Sequence, residues 1–279
     1  MKIGLIAGGG QFPLVFSRKA GQKGYDVYAA AYINEASKDL SNYVKSIKWL
    51  YLGQVGRLVK FFKTHGITSA VMMGTVKKTR IFTDIKPDFK ALSFIARRKH
   101  GHDDSILTAF ADLLEKEGIQ IKPSTFLLPE LLSEKGCWTN RKPDRAEKKD
   151  IMTGWKTAKG IGSLDIGQCV VISNGSVLAV EAADGTDATI KRGAGLADGS
   201  AVVVKLSKPG QDLRFDLPSS GCETIRIMHK AGASVLVLEA GKSIAFDRNE
   251  MIELADRYNI AILAMDDADF ISGNLLEDF

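Results

Sequence analysis

The stretch Lys2-Ile3-Gly4-Leu5-Ile6-Ala7-Gly8-Gly9-Gly10-Gln11-Phe12-Pro13 runs from an almost unbroken apolar segment into three glycines and on to a proline. An apolar run without alternation reads as a strand covered on both faces, the pattern of parallel sheets. Glycines between strand and helix permit a sharp turn and the close approach of a ligand to the backbone. Outward from this stretch, Gln11–Lys23 reads as a helix, with strands at Asp26–Tyr32 and Ser46–Leu52. Gln54–His65 reads as a helix with Val55, Leu58, Val59 and Phe62 on one face. Thr68–Gly74 is a fourth strand, Asp104–Lys116 a helix with Ile106, Phe110, Leu113 and Leu114 at core spacing, and Ile119–Lys122 a further strand. Strands alternating with helices of this length predict βαβ units, hence an α/β fold whose first 135 residues form a Rossmann-like parallel-sheet domain.

The apolar periodicity lapses from Gly136 to Asp150. The polar run Thr139-Asn140-Arg141-Lys142-Pro143-Asp144-Arg145-Ala146-Glu147-Lys148-Lys149 marks 136–149 as a linker, with a second, mixed α/β domain over 150–279. There Val170–Val180 holds Asn174-Gly175 between two apolar runs, a strong hairpin signal. Strands are expected at Ala201–Leu206, Ser234–Glu239 and Ile260–Ala264. Helices are expected at Ser220–Lys230 and, capped by Asp247, at Arg248–Tyr258.

Composition removes several function classes. With 45% hydrophobic and 25% charged residues over 279, the chain is globular, and 27 glycines and 7 prolines are too scattered for collagen or a disordered linker. No apolar run reaches the ~20 residues that span a bilayer. Lys+Arg 38 against Asp+Glu 33 gives +5, too little for a nucleic-acid-coating protein, so no nucleic-acid partner is expected. Three widely spaced cysteines (Cys137, Cys169, Cys222) define neither a disulfide framework nor a zinc site, and the N-terminus lacks a signal-peptide core; a reducing cytoplasm follows as the expected location.

The glycine turn at Gly9, Gly10 and Gln11 is a candidate phosphate contact, since unpaired N–H groups at a helix start stabilise an anion by roughly 0.3–1 kcal/mol. A nicotinamide dinucleotide is disfavoured: Pro13 stands where the fingerprint needs glycine, and Tyr32-Ile33-Asn34 where it needs an acid. Gly241-Lys242-Ser243 is not a P-loop, because Leu236 occupies the required glycine position. His100-Gly101-His102-Asp103-Asp104 has the residue types of a metal cluster, yet Asp103 or Asp104 is accounted for as a helix cap. In the second half, Glu181, Asp184, Asp187, Asp212 and Asp216 lie near strand ends, with Arg192, Lys205, Lys208 and Arg214 close in sequence. Metal-assisted phosphate chemistry needs such a mixture, acids to hold Mg²⁺ and cations to neutralise phosphoryl oxygens. The same acids also suit helix caps and a wet surface.

Four segments carry a family resemblance: Gly8-Gly9-Gly10-Gln11-Phe12-Pro13; Gly160-Ile161-Gly162-Ser163-Leu164-Asp165-Ile166-Gly167-Gln168; Val180-Glu181-Ala182-Ala183-Asp184-Gly185-Thr186-Asp187-Ala188; and Lys208-Pro209-Gly210-Gln211-Asp212-Leu213-Arg214-Phe215-Asp216-Leu217-Pro218. In this order, from Met1 to about Asp266, the chain resembles the LpxI-type UDP-2,3-diacylglucosamine pyrophosphatases of lipid A biosynthesis. The resemblance implies Mg²⁺-dependent hydrolysis of UDP-2,3-diacylglucosamine to UMP and 2,3-diacylglucosamine 1-phosphate (lipid X), with the lipid held between two domains. Asp216 matches the family's catalytically important aspartate. Ala183-Asp184 stands where Ile-Glu is the family pattern, and the tail after Asp267 lies outside it.

The resulting expectations assign Asp216, Asp187 and Asp212 to catalysis, and Asp216, Asp187 and Glu181 to the metal. Gly9, Gly10, Gln11, Thr75, Lys77, Asp103, Asp104, Thr186, Lys205, Lys208, Gln211 and Arg214 are assigned to substrate binding. The cofactor expected is Mg²⁺, and the partners are the glycolipid substrate and lipid X. Peripheral contact with the inner face of the inner membrane and a homodimer are compatible with this reading. The alternative is a nucleotide-sugar or acidic-lipid binding protein without turnover.

Overall fold

The computed structural model describes residues 1–76, 86–89, 91, 103–212, 214–215 and 217–272, with the side chains of 103–106 outside that description. The chain divides into two compact units, Met1–Pro129 with Asp212–Asp216, and Glu130–Gln211 with Leu217–Phe279.

In the first unit, β1 (Lys2–Ala7), β2 (Asp26–Tyr32), β3 (Ser46–Leu50), β4 (Ser69–Met73) and β5 (Gln120–Lys122) form a sheet in the order β3-β2-β1-β4-β5. Every pairing is parallel, as the unalternating strands predict. α1 (Phe12–Gln22) follows β1, α2 (Val55–Thr64) follows β3, and α3 (Asp103–Lys116) precedes β5. Leu58, Val59 and Phe62 of α2 and Leu114 of α3 pack with Ile6, Tyr28 and Ala70 in one buried cluster. The first turn of α2 is capped from outside the helix, where Asp88 accepts from Gly56 N–H at 2.6 Å.

The second unit holds a six-stranded sheet in the order β6-β13-β11-β9-β7-β8. Its strands are β6 (Gly136–Cys137), β7 (Cys169–Ser173), β8 (Ser176–Val180), β9 (Ala201–Lys205), β11 (Ala233–Glu239) and β13 (Ala261–Met265). β9, β11 and β13 run parallel; β6 and the β7–β8 hairpin are antiparallel additions at the two edges. α4 (Arg145–Ser163) buries Ile151, Trp155 and Ala158 against one face. α5 (Thr186–Ala194), α6 (Cys222–Ala231) and α7 (Arg248–Arg257) pack on the other. β10 (Ser219–Ser220) and β12 (Ile244–Ala245) pair separately, and α8 (Asp267–Ser272) follows β13.

The mixed α/β class and the two-unit division agree with the sequence reading, and the Asn174-Gly175 hairpin forms as expected. Its turn is anchored by Asp150, which accepts from Asn174 N–H at 2.9 Å and Gly175 N–H at 2.6 Å. Residues 136–149, read from the sequence as a linker, carry β6 and the opening of α4. The polar run turns into α4 at Arg145, where a capping box joins Asp144 and the buried Glu147. Asp247 does not cap α7 through its side chain; it sits at φ +48°, in the left-handed region, before the helix begins.

Candidate functional site

The carboxyl ends of β1 and β4 are neighbours, and from them the strand order proceeds in opposite directions across the sheet. Such a reversal opens a crevice beyond the strand ends where ligands bind in open α/β sheets. Here the two departing loops are stitched by backbone. Gly8 N–H donates to Met73 O at 2.8 Å, Gly9 N–H to Thr75 O at 2.7 Å, and Thr75 N–H to Gly9 O at 3.0 Å. Only glycine permits this approach: a Cβ on Gly8 would stand 2.6 Å from Thr75 O, and one on Gly74 2.5 Å from Gly9 O. Gly10 has a different role, at φ +87° with open space around it. The N–H groups of Gly8 and Gly9 are therefore spent inside the protein. A ligand would meet the chain at Gly10 and Gln11, where α1 begins without a side-chain cap and without an acid in its first turn.

The segment Asp212–Asp216, late in sequence, belongs to this same unit. Phe215 is buried in the cluster that contains Ile6 of β1 and Met72 of β4, the strands that lead into the stitched loops. Arg214 grips Asp212 with Nε at 3.0 Å from both carboxylate oxygens and Nη2 at 2.7 Å, while Nη1 reaches Glu115 at 2.9 Å. The guanidinium holds the Asp212 carboxyl below the usual carboxylate range, and Asp212 in turn raises Arg214. Asp212 is thus the anchor of Arg214. Lys77 and Asp216 lie outside the described residues, as do the side chains of Asp103 and Asp104 and the histidines His100 and His102.

In the second unit the segments 160–168 and 180–188 meet the start of the fourth, 208–211. A Cβ on Gly167 would stand 2.1 Å from Glu181 O, and one on Gly162 3.0 Å from Pro209 Cδ, so both glycines are sites of close packing. Asp165 pairs with Lys208. Glu181 is buried and accepts from Thr186 Oγ1 at 2.9 Å and Gln168 N–H at 3.4 Å. Asp184 binds Arg192 at 3.0 Å, which keeps its carboxyl low. Asp187 is exposed in the first turn of α5. Lys205 is buried and donates to Ser219 O at 2.6 Å. Burial pushes the Cys169 thiol up to about 12; Lys205 opposes this, and Glu181 and Asp187 add to it, which puts all three in one electrostatic neighbourhood. Gln211 Oε1 accepts from Ser207 Oγ and Lys208 N–H, each at 3.1 Å, and so braces the turn that carries Lys208.

The sequence reading missed Glu239. It ends β11, is 1% exposed, and accepts from Lys159 Nζ at 2.7 Å and Lys242 Nζ at 2.8 Å on one oxygen and from Ser207 N–H at 2.9 Å on the other. The carboxylate raises Lys242 and fixes the root of the 207–211 turn. Its only signal in the sequence is an acid closing an otherwise apolar strand. The candidate metal ligands offer oxygen donors of the kind Mg²⁺ takes. Among the described residues, however, no three His, Cys, Asp or Glu side chains come together as a ligand set. Nor is any helix, among the described residues, long and apolar enough to cross a membrane.

Two family models match in tandem, the LpxI N-terminal domain over residues 2–131 and the LpxI C-terminal domain over 134–263. The chain belongs to the LpxI family. It is 32% identical over 277 residues to the UDP-2,3-diacylglucosamine pyrophosphatase LpxI of Caulobacter vibrioides, covering 95% of this chain and 98% of that one. Two solved structures that align with it are far more distant. Phosphoribosylglycinamide synthetase of Anaerococcus prevotii aligns with a TM-score of 0.26 at 12% identity over 63% of this chain and 38% of its own. The biotin carboxylase domain of the Hydrogenobacter thermophilus 2-oxoglutarate carboxylase aligns with a TM-score of 0.26 at 16% identity, over 62% and 35%. Scores of that size establish no shared fold.

Proposed function

We propose that this LpxI protein hydrolyses the pyrophosphate bond of UDP-2,3-diacylglucosamine, releasing UMP and 2,3-diacylglucosamine 1-phosphate in lipid A biosynthesis. The structural observation that carries the reading is the return of Asp212–Asp216 into the first unit, where Phe215 shares a core with the strands that end in the glycine loops. A segment with one cation, Arg214, between two acids is thereby built into the unit that offers an open helix start to a phosphate.

In this proposal the backbone at Gly10 and Gln11 holds a phosphate of the diphosphate. Arg214, set in place by Asp212 and Glu115, neutralises phosphoryl oxygen charge as it builds. Asp216 orients the attacking water and accepts its proton. Mg²⁺, when bound, would supply positive charge and a water of lowered pKa, with Asp216 as the carboxylate of the first unit that would hold it. The reaction is placed in the cytoplasm, with peripheral attraction of the mildly basic chain to an anionic membrane face. One observation favours the alternative of binding without turnover: Asp212 and Glu181 are both engaged in structural hydrogen bonds.

Incubating the purified protein with UDP-2,3-diacylglucosamine and Mg²⁺ separates the two readings. UMP accumulating with time supports hydrolysis, and tight retention of the lipid with no UMP above the blank supports the binding protein. Omitting Mg²⁺ or adding a chelator should stop release; undiminished release would remove the metal from the proposal.

A further inference from the structure

In the second unit, the charges of residues 141–159 are sorted by the fold. Seven Lys and Arg stand there against three Asp and Glu, so this stretch supplies four of the chain's five net positive charges. All three acids are engaged within the unit. Asp144 caps α4, Glu147 is 1% exposed and holds Arg141 and Ser234, and Asp150 holds the hairpin turn. Lys159 belongs to the Glu239 junction. Arg145, Lys149 and Lys156 are exposed and Lys148 is half-buried; among the described residues, no acid lies within ion-pairing distance of these four. At 3.6 residues per turn they share an arc of about 100° along ~16 Å of helix. That arc lies outside the face by which Ile151, Trp155 and Ala158 pack on the sheet. The stripe does not serve the helix itself. Arg145 and Lys148 stand near its start, at the positive end of the macrodipole, where acids stabilise and cations do not. Just past its other end Leu164 and Ile166 are 68% and 46% exposed, and Asp165 between them is neutralised by Lys208.

We propose that this face of α4 docks on an anionic phospholipid bilayer, its cations against headgroup phosphates and Leu164 and Ile166 at the boundary with the acyl chains. The inference rests on the hydrolase reading for its purpose, because a substrate with two acyl chains partitions into a bilayer; the charge distribution stands without that reading. Each cation held near an anionic leaflet raises partitioning roughly fivefold, so four together give several hundredfold at low salt. Added salt screens that attraction, whereas the contact made by exposed apolar residues persists. A single-stranded nucleic acid fits the stripe less well. The one aromatic residue of α4, Trp155, is 1% exposed, which leaves no ring on which bases could stack. Within the same unit the stripe ends beside the 207–211 turn, since Gly162 packs against Pro209. A docked α4 would therefore hold the candidate substrate residues Lys208 and Gln211 close to the lipid surface.

The test is cosedimentation of the full chain with vesicles of phosphatidylcholine, and of phosphatidylcholine mixed with phosphatidylglycerol. The wild type should bind the mixed vesicles at least tenfold more tightly than the neutral ones. A variant combining Arg145→Gln, Lys148→Gln, Lys149→Gln and Lys156→Gln should lose at least tenfold of that binding. It should melt no lower than the wild type, because cations leave the positive end of the helix. Leu164→Gln should weaken binding severalfold in high salt as in low. Hydrolysis of UDP-2,3-diacylglucosamine carried in the mixed vesicles should fall with binding in the combined variant, and stay within twofold of wild type in detergent micelles. Equal vesicle binding by wild type and the folded variant, or no preference of the wild type for anionic vesicles, overturns the proposal. So does charge-dependent capture by heparin or RNA without vesicle binding, or an equal loss of hydrolysis in both media. Charge-dependent vesicle binding by a wild type that releases no UMP would uphold the docking face and remove the hydrolase reading.

Discussion

The glycine crossing of the first unit and the Glu239 junction of the second solve one problem in opposite ways. Each fixes a loop at the carboxyl end of parallel strands. At Gly8, Gly9 and Gly74 the loops lie so close that backbone bonds backbone, with no side chain between. At Glu239 the loop root at Ser207 is held by a buried carboxylate that is itself balanced by Lys159 and Lys242. A backbone crossing tolerates no added atom. A side-chain junction tolerates shape-preserving change and responds to charge.

The largest effect should come from violating the crossing. Gly74→Ala adds a Cβ 2.5 Å from Gly9 O at a residue with φ +89°, and overpacking with left-handed strain together should cost about 4 kcal/mol. Thermal unfolding checks this; a melting temperature near wild type would mean that the loops separate easily. Glu239→Ala should follow at about 3 kcal/mol, because two lysines and the Ser207 N–H lose their acceptor. Glu239→Gln keeps an acceptor for Ser207 and should lose only about half of that. If both variants melted alike, the charge rather than the hydrogen bond would govern the junction.

Gly10 sharpens the contrast, because its Cβ has room and only its φ resists. Gly10→Ala should cost about 1 kcal/mol of stability yet raise KM severalfold. An unchanged KM would make the turn purely architectural. The smallest effect concerns pH. Arg214 depresses the folded pKa of Asp212, so its contribution is present above the unfolded carboxylate value and is lost as pH falls through the folded one. Between pH 5 and 2 the wild type should lose slightly more melting temperature than Asp212→Asn, and parallel curves would show that the pair contributes nothing.

The parallel sheet was legible because buried strands such as Lys2–Ala7 and Ser69–Met73 cannot hide their apolar runs. The hairpin was legible because Asn-Gly encodes its own dihedrals. β6 was not, since an edge strand of two residues needs hydrogen bonds rather than hydrophobicity; Trp138 N–H to Ile262 O extends the pairing beyond it. The opening of α4 has a local signature inside the polar run, Asp144 followed three residues later by Glu147. At the site, the backbones of Gly9 and Thr75, both candidate ligand contacts, bond each other, and Asp212, a candidate acid, also holds Arg214. Glu239 was invisible because its partners Lys159 and Ser207 are far away in sequence, and long-range pairing leaves no local pattern.

The central claim is a pyrophosphate cleavage that depends on the Asp212–Asp216 return. It is tested most directly by following UMP and 2,3-diacylglucosamine 1-phosphate together, for wild type and for Asp216→Ala, from UDP-2,3-diacylglucosamine with Mg²⁺. The account predicts the two products in equal amounts, with a loss of about 10³-fold in the variant while it still binds the lipid. Near-normal turnover by Asp216→Ala, or no UMP from the wild type, would contradict it.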